Sequence, residues 1–295
     1  MKNATPVVIE AAISPIRRDA PAMDNGQIVA EACACLDAGA AIIHSHHDNR
    51  LDAPGTIADL SSVWAKVQAR HPGAIFYPGF VRGASMAEKT AHLLPLAEAG
   101  LLGQVPVDPG SVSIGELDAR GMPAYSNQYV NSYQDSNHVV EVAERCGLGL
   151  TVGVFEPGFL RVALAYAAAG KLRPGSLIKL YFGGSDSIYT PGLRAINYGL
   201  PPNRESLEAY LAMLAGSGLP WAVRVAGGAL LETPIARLAL ERGGHLRVGV
   251  EDCGEARGSN RELVEAAVAL AKQVGRPVVQ GKEAHAALAA RPELN

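Results

Sequence analysis

Short apolar runs recur along the chain, and each is followed by turn residues and then by a longer segment with helical spacing. In the segment 59–71, for example, Leu60, Val63, Trp64 and Val67 recur near the 3.6-residue period of a helix. A further helix-like segment, at about 25–38, separates the first two apolar runs. The apolar runs, which we interpret as strands, are VVIEAA (7–12), AAIIHSH (40–46), AIFYPG (74–79), LGQVPV (102–107), LGLTVGVFE (148–156), SLIKLYFGG (176–184), WAVRVAGG (221–228) and HLRVGVED (245–252).

These eight runs predict an α/β protein, a (β/α)8 TIM barrel, because strands alternate with helices over a length typical of that fold. A doubly wound open sheet is the alternative, but the first strand–helix junction has no GxGxxG loop. The polar segment 108–135 is better interpreted as an insertion than as a boundary, so we expect a single domain over residues 1–295. Further helices are predicted at 86–99, 136–146, 157–169, 205–215, 232–242 and 258–273.

The charge and composition exclude several classes of protein. A net charge of −3 gives no general electrostatic reason to bind nucleic acid or an anionic membrane. The N-terminal MKNATPVVIEAAISP lacks the apolar core of a signal peptide, and no run reaches the length of a membrane span, so a cytoplasmic protein is expected. The four cysteines form no CxxC pair, which favours reduced thiols over a disulfide framework or a thiolate zinc site.

Candidate chemistry appears where the predicted strands end, which is where a TIM barrel places its active site. The second strand ends in AAIIHSHHDNR (40–50), and alternation along a strand puts His44 and His46 on one face while His47 turns away. Glu251 is the best third ligand, because the first strand lies between the second and the last in a closed barrel. Such a set suits zinc, although Mn or Fe(II) could occupy it. The alternative is a polar loop whose histidines bond to the backbone.

The last predicted strand carries a second charged group. Arg247 and Glu251 are four residues apart and would share a face of an extended strand, with Asp252 opening the next loop. A buried arginine there could clamp a substrate carboxylate or orient Asp252 as a base. A purely structural salt bridge is the alternative.

Together these residues resemble the β-keto acid cleavage enzymes, and the resemblance extends over nearly the whole chain. The matching blocks are AGAxxxHxH (38–46), Glu156, WAV (221–223), GGHxRxGxED (243–252) and VGRPVV (274–279). The resemblance implies a zinc-dependent, homo-oligomeric TIM-barrel acyltransferase. It would condense a β-keto acid with acetyl-CoA and split the adduct into acetoacetate and a new acyl-CoA.

The resemblance also implies roles for individual residues. His44, His46 and Glu251 would hold Zn²⁺, and Asp252 would be the catalytic base, positioned by Arg247. The candidates for binding substrate are Glu156, Arg82, Asp108 and Ser111. Arg50 is an alternative to Arg82 for a substrate carboxylate or the phosphates of CoA, and either could be a simple surface charge.

The chain departs from the family pattern at Asp48, at YPGFVRG (77–83), at Pro106 and at Gly153. These positions would line the substrate, so the resemblance predicts the reaction class and leaves the keto acid open. Two other hypotheses stay open as well. One is a metal-dependent aldolase or hydrolase that does not use CoA, and the other is a non-catalytic barrel that binds a small carboxylate.

Overall fold

A sheet of eight parallel strands forms the centre of the protein. The strands are β1 (Ile9–Ala12), β2 (Ile42–Ser45), β3 (Ile75–Pro78), β4 (Val105–Val107), β7 (Leu150–Val154), β8 (Leu177–Gly183), β10 (Trp221–Ala226) and β11 (His245–Val248). The computed structural model describes residues 5–16, 22–46, 48, 50–254 and 257–290. The backbone N–H of Gly103, just before β4, donates to the carbonyl of Phe76 in β3 at 2.7 Å, so the two edges of the sheet meet. The predicted TIM barrel is therefore confirmed. Along the sheet these strands follow the order β3-β2-β1-β11-β10-β8-β7-β4.

Helices connect these strands and cover the outside of the barrel. Their ends follow local chemistry: the Asp24 side chain caps the first helix in a capping box with Gln27, and Gly39 ends that helix in the left-handed conformation. The helices are α1 (Asn25–Ala38), α2 (Ala53–Arg70), α3 (Met86–Lys89), α4 (Leu93–Glu98), α5 (Tyr133–Cys146), α6 (Pro157–Ala168), α7 (Arg204–Leu214), α8 (Pro234–Glu241), α9 (Val250–Cys253), α10 (Asn260–Val274) and α11 (Gly281–Ala289), with a 3-10 turn at Leu230–Glu232.

Two helix boundaries differ from the prediction. The helix expected at 86–99 is divided into α3 and α4, because Pro95 lacks an N–H and its ring would collide with the carbonyl four residues earlier. The helix expected from 59 begins at Ala53, where Asp52 accepts a hydrogen bond from the N–H of Gly55. The Asp-Ala-Pro sequence at 52–54 is a helix start that the apolar spacing does not reveal.

The largest correction concerns the last strand, which ends at Val248 and not at residue 252. Gly249 has a φ of 139°, a conformation that favours glycine, and a Cβ there would collide with the backbone oxygen of Ala12. After this tight turn Glu251 and Asp252 belong to the short helix α9. Arg247 and Glu251 therefore meet across a strand–helix turn and not along one strand face.

A second sheet stands over the barrel mouth. The insertion at 108–135 forms the strands β5 (Val112–Leu117) and β6 (Pro123–Tyr129), and residues after β8 add β9 (Ala195–Ile196). The three strands pair antiparallel in the order β6-β5-β9. We call them the cover sheet, because Ile114 and Tyr129 from it line the cavity below. Within the described ranges, no helix has both the length and the apolar character needed to cross a membrane.

Candidate active site

Two histidines and one glutamate converge at the carboxyl end of the barrel. The Nε2 atoms of His44 and His46 lie 3.2 Å apart, and Oε2 of Glu251 lies 3.3 Å from the first and 3.5 Å from the second. The histidines lie at the end of β2, and Glu251 follows β11. Only β1 lies between these two strands, so their carboxyl ends bring the three side chains together. The expected arrangement of three ligand atoms on one side of the barrel is therefore what the fold produces.

Neighbouring groups orient both imidazoles. Nδ1 of His44 is 3.1 Å from the carbonyl of Tyr77, so a proton on Nδ1 leaves the Nε2 lone pair facing Glu251. Burial lowers the pKa of His44 well below its ordinary 6.5, which keeps the ring neutral. The ring of His46 occupies space beside Gly79, where a Cβ would lie 2.6 Å from Nδ1. Both rings are thus held with Nε2 toward Glu251.

The glutamate is suited to a cation. Burial by itself would raise the pKa of Glu251, but Arg247 and the two histidines lower it well below 4.5. Its Oε2 is buried without a hydrogen-bond partner among the described residues, although it faces both histidines. A buried ionised oxygen is costly to leave unsatisfied. A metal ion between the three atoms fits this donor set.

We call His44, His46 and Glu251 the triad. Asp252 lies beside it and is held by two arginines. Its Oδ2 accepts from Nε of Arg247 at 3.1 Å, and its Oδ1 accepts from Nη2 of Arg224 at 2.8 Å. Burial raises the pKa of Asp252, while the two guanidinium groups oppose that shift. The result is a fixed carboxylate whose basicity exceeds that of an ordinary aspartate.

Below the triad, a buried polar network fills the barrel. Nη1 of Arg247 donates to Glu10 at 2.8 Å and to the hydroxyl of Tyr77 at 2.9 Å. That hydroxyl donates in turn to Glu10 and accepts from Lys179. Lys179 and Arg247 hold the pKa of Glu10 below its ordinary value even though burial opposes them. The network fixes Arg247 from below while Asp252 and Glu251 bind it from above.

Glu10, Tyr77, Lys179 and Arg224 lie at the site although the sequence motifs do not predict them there. Three of them are charged residues inside apolar runs, as in VVIEAA, SLIKLYFGG and WAVRVAGG. The strands of a parallel sheet are buried on both faces, so a charge within such a run must be paired inside the protein. That signal was present and identifies the three positions as site residues.

The triad opens into a cavity of about 300 Å³. Its lining includes Arg224, Arg247, Asp108, Phe155 and Tyr198, and Nη2 of Arg224 donates to the hydroxyl of Tyr198 at 3.3 Å. Asp108 directly follows β4, and its Oδ2 accepts from the hydroxyl of Tyr129 at 2.7 Å. Of the four substrate-binding candidates, Asp108 is thus the one that the structure brings to the cavity.

The other candidates lie elsewhere. Oε1 of Glu156, at the start of α6, accepts from the backbone N–H of Gly199 at 3.0 Å, and Ser111 exchanges hydrogen bonds with the backbone of Asn131. Arg82 is exposed, and Arg50 is an exposed residue paired with Asp48. None of these side chains lines the cavity. His47, which we expected to turn away, lies outside the described residues.

Comparison with known proteins identifies this arrangement. The family model described as beta-keto acid cleavage enzyme matches residues 6–289. The chain belongs to the beta-keto acid cleavage enzyme family. The predicted family and the predicted enzyme class, a carbon–carbon bond-cleaving acyltransferase, are thereby confirmed.

Characterised relatives are distant but nearly full-length. The chain is 25% identical over 265 residues to a 3-keto-5-aminohexanoate cleavage enzyme of Acetoanaerobium sticklandii, covering 88% of this chain and 87% of the relative. It is 26% identical over 294 residues to a 3-oxoadipate:acetyl-CoA acetyltransferase of Cupriavidus necator, covering 96% and 94%.

Solved structures agree on the fold. ObcA, in a ternary complex with a C4-CoA adduct and oxalate, superposes with a TM-score of 0.62 at 16% identity over 94% of this chain. The match covers 67% of the ObcA chain.

Proposed function

We propose that this protein transfers CoA from acetyl-CoA to the acyl part of a β-keto acid, giving acetoacetate and a new acyl-CoA. The observation that carries the proposal is the convergence of His44, His46 and Glu251 beside Asp252, which two arginines hold. The name of the Cupriavidus necator relative supports a reaction with acetyl-CoA, and the names of both the Cupriavidus necator and the Acetoanaerobium sticklandii relatives support a keto acid as the substrate.

We further propose that the triad holds zinc. Around a tetrahedral zinc ion with bonds of about 2.0–2.1 Å, ligand atoms stand about 3.3 Å apart. The separations of 3.2, 3.3 and 3.5 Å are compatible with this spacing. Three protein ligands leave one position open, as in catalytic zinc sites.

The bound metal would supply a Lewis acid that polarises the keto group and makes C2 of the substrate more acidic. Asp252 accepts the C2 proton, and Arg224 and Arg247 hold its two oxygens in place beside Glu251. C2 then attacks the acetyl carbonyl carbon, and the C–S bond of acetyl-CoA breaks to release the CoA thiolate. The thiolate adds to the C3 keto carbon, the C2–C3 bond breaks to leave C3 in the new acyl-CoA, and C2 takes the proton back from Asp252 to give acetoacetate.

The buried network serves this chemistry indirectly. Glu10 and Tyr77 bind Arg247 from the side opposite Asp252, so the guanidinium cannot follow the carboxylate when it gains a proton. Preorganisation of this kind lowers the cost of rearranging charge during the reaction. We give Glu156, Arg82 and Ser111 no substrate contact in this proposal, because their side chains lie away from the cavity.

The test is a product assay on zinc-loaded protein with a panel of β-keto acids. We expect acetoacetate and the matching acyl-CoA to form in equal amounts, and only when acetyl-CoA is present. Consumption of the keto acid without CoA would instead support a metal-dependent aldolase or hydrolase. Binding without any turnover across the panel would support a non-catalytic barrel.

A further inference from the structure

The lysine and arginine side chains that line the cavity differ in what they already bind. Within the described part of the chain they are Lys179, Arg224 and Arg247. All three guanidinium nitrogens of Arg247 donate, and their acceptors are Glu10, Tyr77, Glu251 and Asp252. Lys179 donates to the hydroxyl of Tyr77 and lies 3.5 Å from Glu10. Arg224 is different, because its Nε is buried and has no hydrogen-bond partner among the described residues.

The residues around Arg224 hold its guanidinium in one orientation. Nη2 donates to Oδ1 of Asp252 at 2.8 Å and to the hydroxyl of Tyr198 at 3.3 Å. The central carbon Cζ lies 4.1 Å from the centroid of the Tyr181 ring. The side chain is only 3% exposed, and a buried N–H without an acceptor lowers stability. Such a group is rarely left unpaired without a function, so we expect its acceptor to come from a ligand.

The hydroxyl of Tyr198 provides a second donor next to this guanidinium. Its oxygen accepts from Arg224, and burial raises the pKa of Tyr198, so the hydroxyl keeps its own proton. That proton has no acceptor among the described residues. The ring is fixed by its stacking on Phe155, at 4.2 Å between centroids. An N–H of a guanidinium beside an O–H suits the two oxygens of a carboxylate.

Arg224 also lies close to the triad. Its Nη1 is 3.8 Å from Oε1 of Glu251, whose Oε2 faces the two histidines. In a β-keto acid a single carbon, C2, separates the keto carbon from the carboxylate carbon. If the keto oxygen lies at the triad, the C1 carboxylate is within reach of Arg224 and C2 lies between the two. Asp252, the proposed base, is hydrogen-bonded to Arg224 and directly follows Glu251, so it flanks the same space.

Two lining positions at which the chain departs from the family pattern give a carboxylate no donor. Pro106 has no N–H, and the N–H of Gly79 donates to the carbonyl of Ser45 at 3.2 Å. Neither residue has a polar side chain. The donors for a substrate carboxylate therefore have to come from another part of the lining, where Arg224 also supplies a positive charge.

We propose that Nε of Arg224 and the hydroxyl of Tyr198 bind the C1 carboxylate of the β-keto acid. Arg224 is then a substrate-binding residue as well as a partner of Asp252. The bound carboxylate fixes C2 between the triad and Arg224, and it gives the site a preference for acids over ketones and esters. This inference rests on the proposed function, since it takes the triad as the position of the keto group.

The experiment compares 3-oxohexanoate with its methyl ester, which keeps the keto group and loses the C1 charge. Binding to the zinc-loaded protein is measured by titration calorimetry without acetyl-CoA. The wild type should bind the acid at least about tenfold more tightly than the ester, the effect of hydrogen bonds to a charged group. Arg224→Lys should reduce this ratio to about threefold or less, because lysine keeps the charge beside Asp252 but lacks the planar fork of N–H donors. A carboxylate bound by zinc alone would give a ratio that Arg224→Lys leaves unchanged.

Matched variants separate the carboxylate site from general damage. Arg237→Lys makes the same exchange at an exposed position of α8, where Arg237 donates to Gln273, and it should keep the wild-type ratio. Tyr198→Phe keeps the ring that stacks on Phe155 and should also lower the ratio, and it decides the matter if Arg224→Lys fails to fold. Zinc content is measured on each sample. A third ligand, 3-oxoadipate, should be weakened by Arg224→Lys by the same factor as 3-oxohexanoate.

The outcomes distinguish this inference from the proposed function. A ratio that Arg224→Lys leaves unchanged overturns the carboxylate site, while turnover of keto acids with acetyl-CoA leaves the proposed function standing. Weakening of 3-oxoadipate alone also overturns it, because Arg224 would then bind the distal carboxylate. A ratio that depends on Arg224 without turnover of any keto acid supports the carboxylate site and contradicts the acyl transfer. Absence of both binding and turnover overturns both.

Discussion

The phenolic oxygen of Tyr77 is the point where three buried charges meet. It donates to Glu10 and accepts from Lys179 and Arg247, and the ring of Tyr77 stacks on His44 at 4.5 Å between centroids. One atom therefore connects the network below the site to the arginine that binds both Glu251 and Asp252. The same residue thus contacts the proposed metal site through its ring and, through its hydroxyl, the arginine that holds the proposed base.

Tyr77→Phe should separate these two contributions. The ring and its stacking on His44 remain, while the loss of the hydroxyl leaves buried charges short of partners, at a cost of about 1–3 kcal/mol in the free energy of unfolding. We expect zinc content to be unchanged. Urea unfolding measures the cost, with Tyr166→Phe as the control, since the Tyr166 hydroxyl bonds to Asn137 at an exposed position. Equal effects of the two variants would refute the role given to the network.

At the scale of elements, the turn between β11 and α9 fixes the site. Gly249 alone separates Arg247 and Val248 from the helix that carries Glu251 and Asp252. Its φ of 139° and its contact with Ala12 leave no room for a side chain. The turn redirects the chain so that two consecutive acidic residues face two different partners, a metal position and a pair of arginines.

Gly249→Ala should damage stability and metal binding together. Backbone strain of about 1–3 kcal/mol adds to the collision with Ala12, and any relief of that collision moves Glu251. Gly243→Ala is the matched control, because Gly243 also has a positive φ, 89°, but no atom lies within 4 Å of the added Cβ. We expect the control to be destabilised by strain alone and to retain zinc. Calorimetric unfolding and zinc analysis of both variants give the comparison, and full zinc binding by Gly249→Ala would contradict the account.

The limits of prediction from sequence are clearest in these elements. Buried parallel strands appear as apolar runs, which is why the alternation along the chain predicts the barrel. Strand alternation likewise predicts that His44 and His46 share a face, and barrel closure predicts that Glu251 joins them. The apolar runs alone do not show where β11 ends, because that depends on a glycine turn packed against β1.

Contacts between side chains across the barrel interior could not be predicted from the sequence either. Which of Glu10, Lys179 and Arg224 meet depends on the stagger of eight strands, which no local pattern encodes. The apolar runs indicate that each charged side chain is buried, but they do not indicate which residue it pairs with. The cover sheet was missed for a related reason: β5 pairs with β9, which lies far along the chain, and polar strands near a surface carry little periodic signal.

At the scale of the whole molecule, a buried histidine makes stability depend on pH. Nδ1 of His245 accepts the N–H of Val8 at 3.1 Å, which requires an unprotonated nitrogen. Burial, assisted by Arg276, lowers the pKa of His245 from 6.5 to about 3. The unfolded chain binds this proton at a higher pH than the folded protein does. The stabilisation is therefore complete above pH 6.5 and is lost as the pH falls from 6.5 towards 3.

The variant His245→Asn should flatten this dependence. Within that window a single such group contributes at most about 1.4 kcal/mol per pH unit to the free energy of unfolding. An asparagine can still accept from Val8 but takes up no proton. Urea unfolding between pH 7 and pH 4 should show a shallower slope for the variant than for the wild type. Identical slopes would show that His245 is not the group responsible.

Exposed apolar side chains suggest how the molecule assembles. They gather on and around the cover sheet, and they are Met122, Val130, Tyr133, Leu193 and Ile196. Clusters of this kind mark interaction surfaces, and we expect a homo-oligomer that buries them. Light scattering after size exclusion should give a multiple of the chain mass, which the pair Val130→Glu and Ile196→Glu lowers and the exposed-site control Lys66→Glu does not. A monomeric wild type at micromolar concentration would contradict this expectation.

We propose that the two adjacent carboxylates have different roles: Glu251 holds zinc, and Asp252 takes the proton. The most direct measurement is zinc content and acetoacetate formation, determined on the same samples of Glu251→Gln and Asp252→Asn. We expect Glu251→Gln to lose both zinc and turnover. Asp252→Asn should keep about one zinc per chain and lose at least about 100-fold in turnover, the scale of general base catalysis. An active Asp252→Asn, or a Glu251→Gln that retains zinc, would contradict the account.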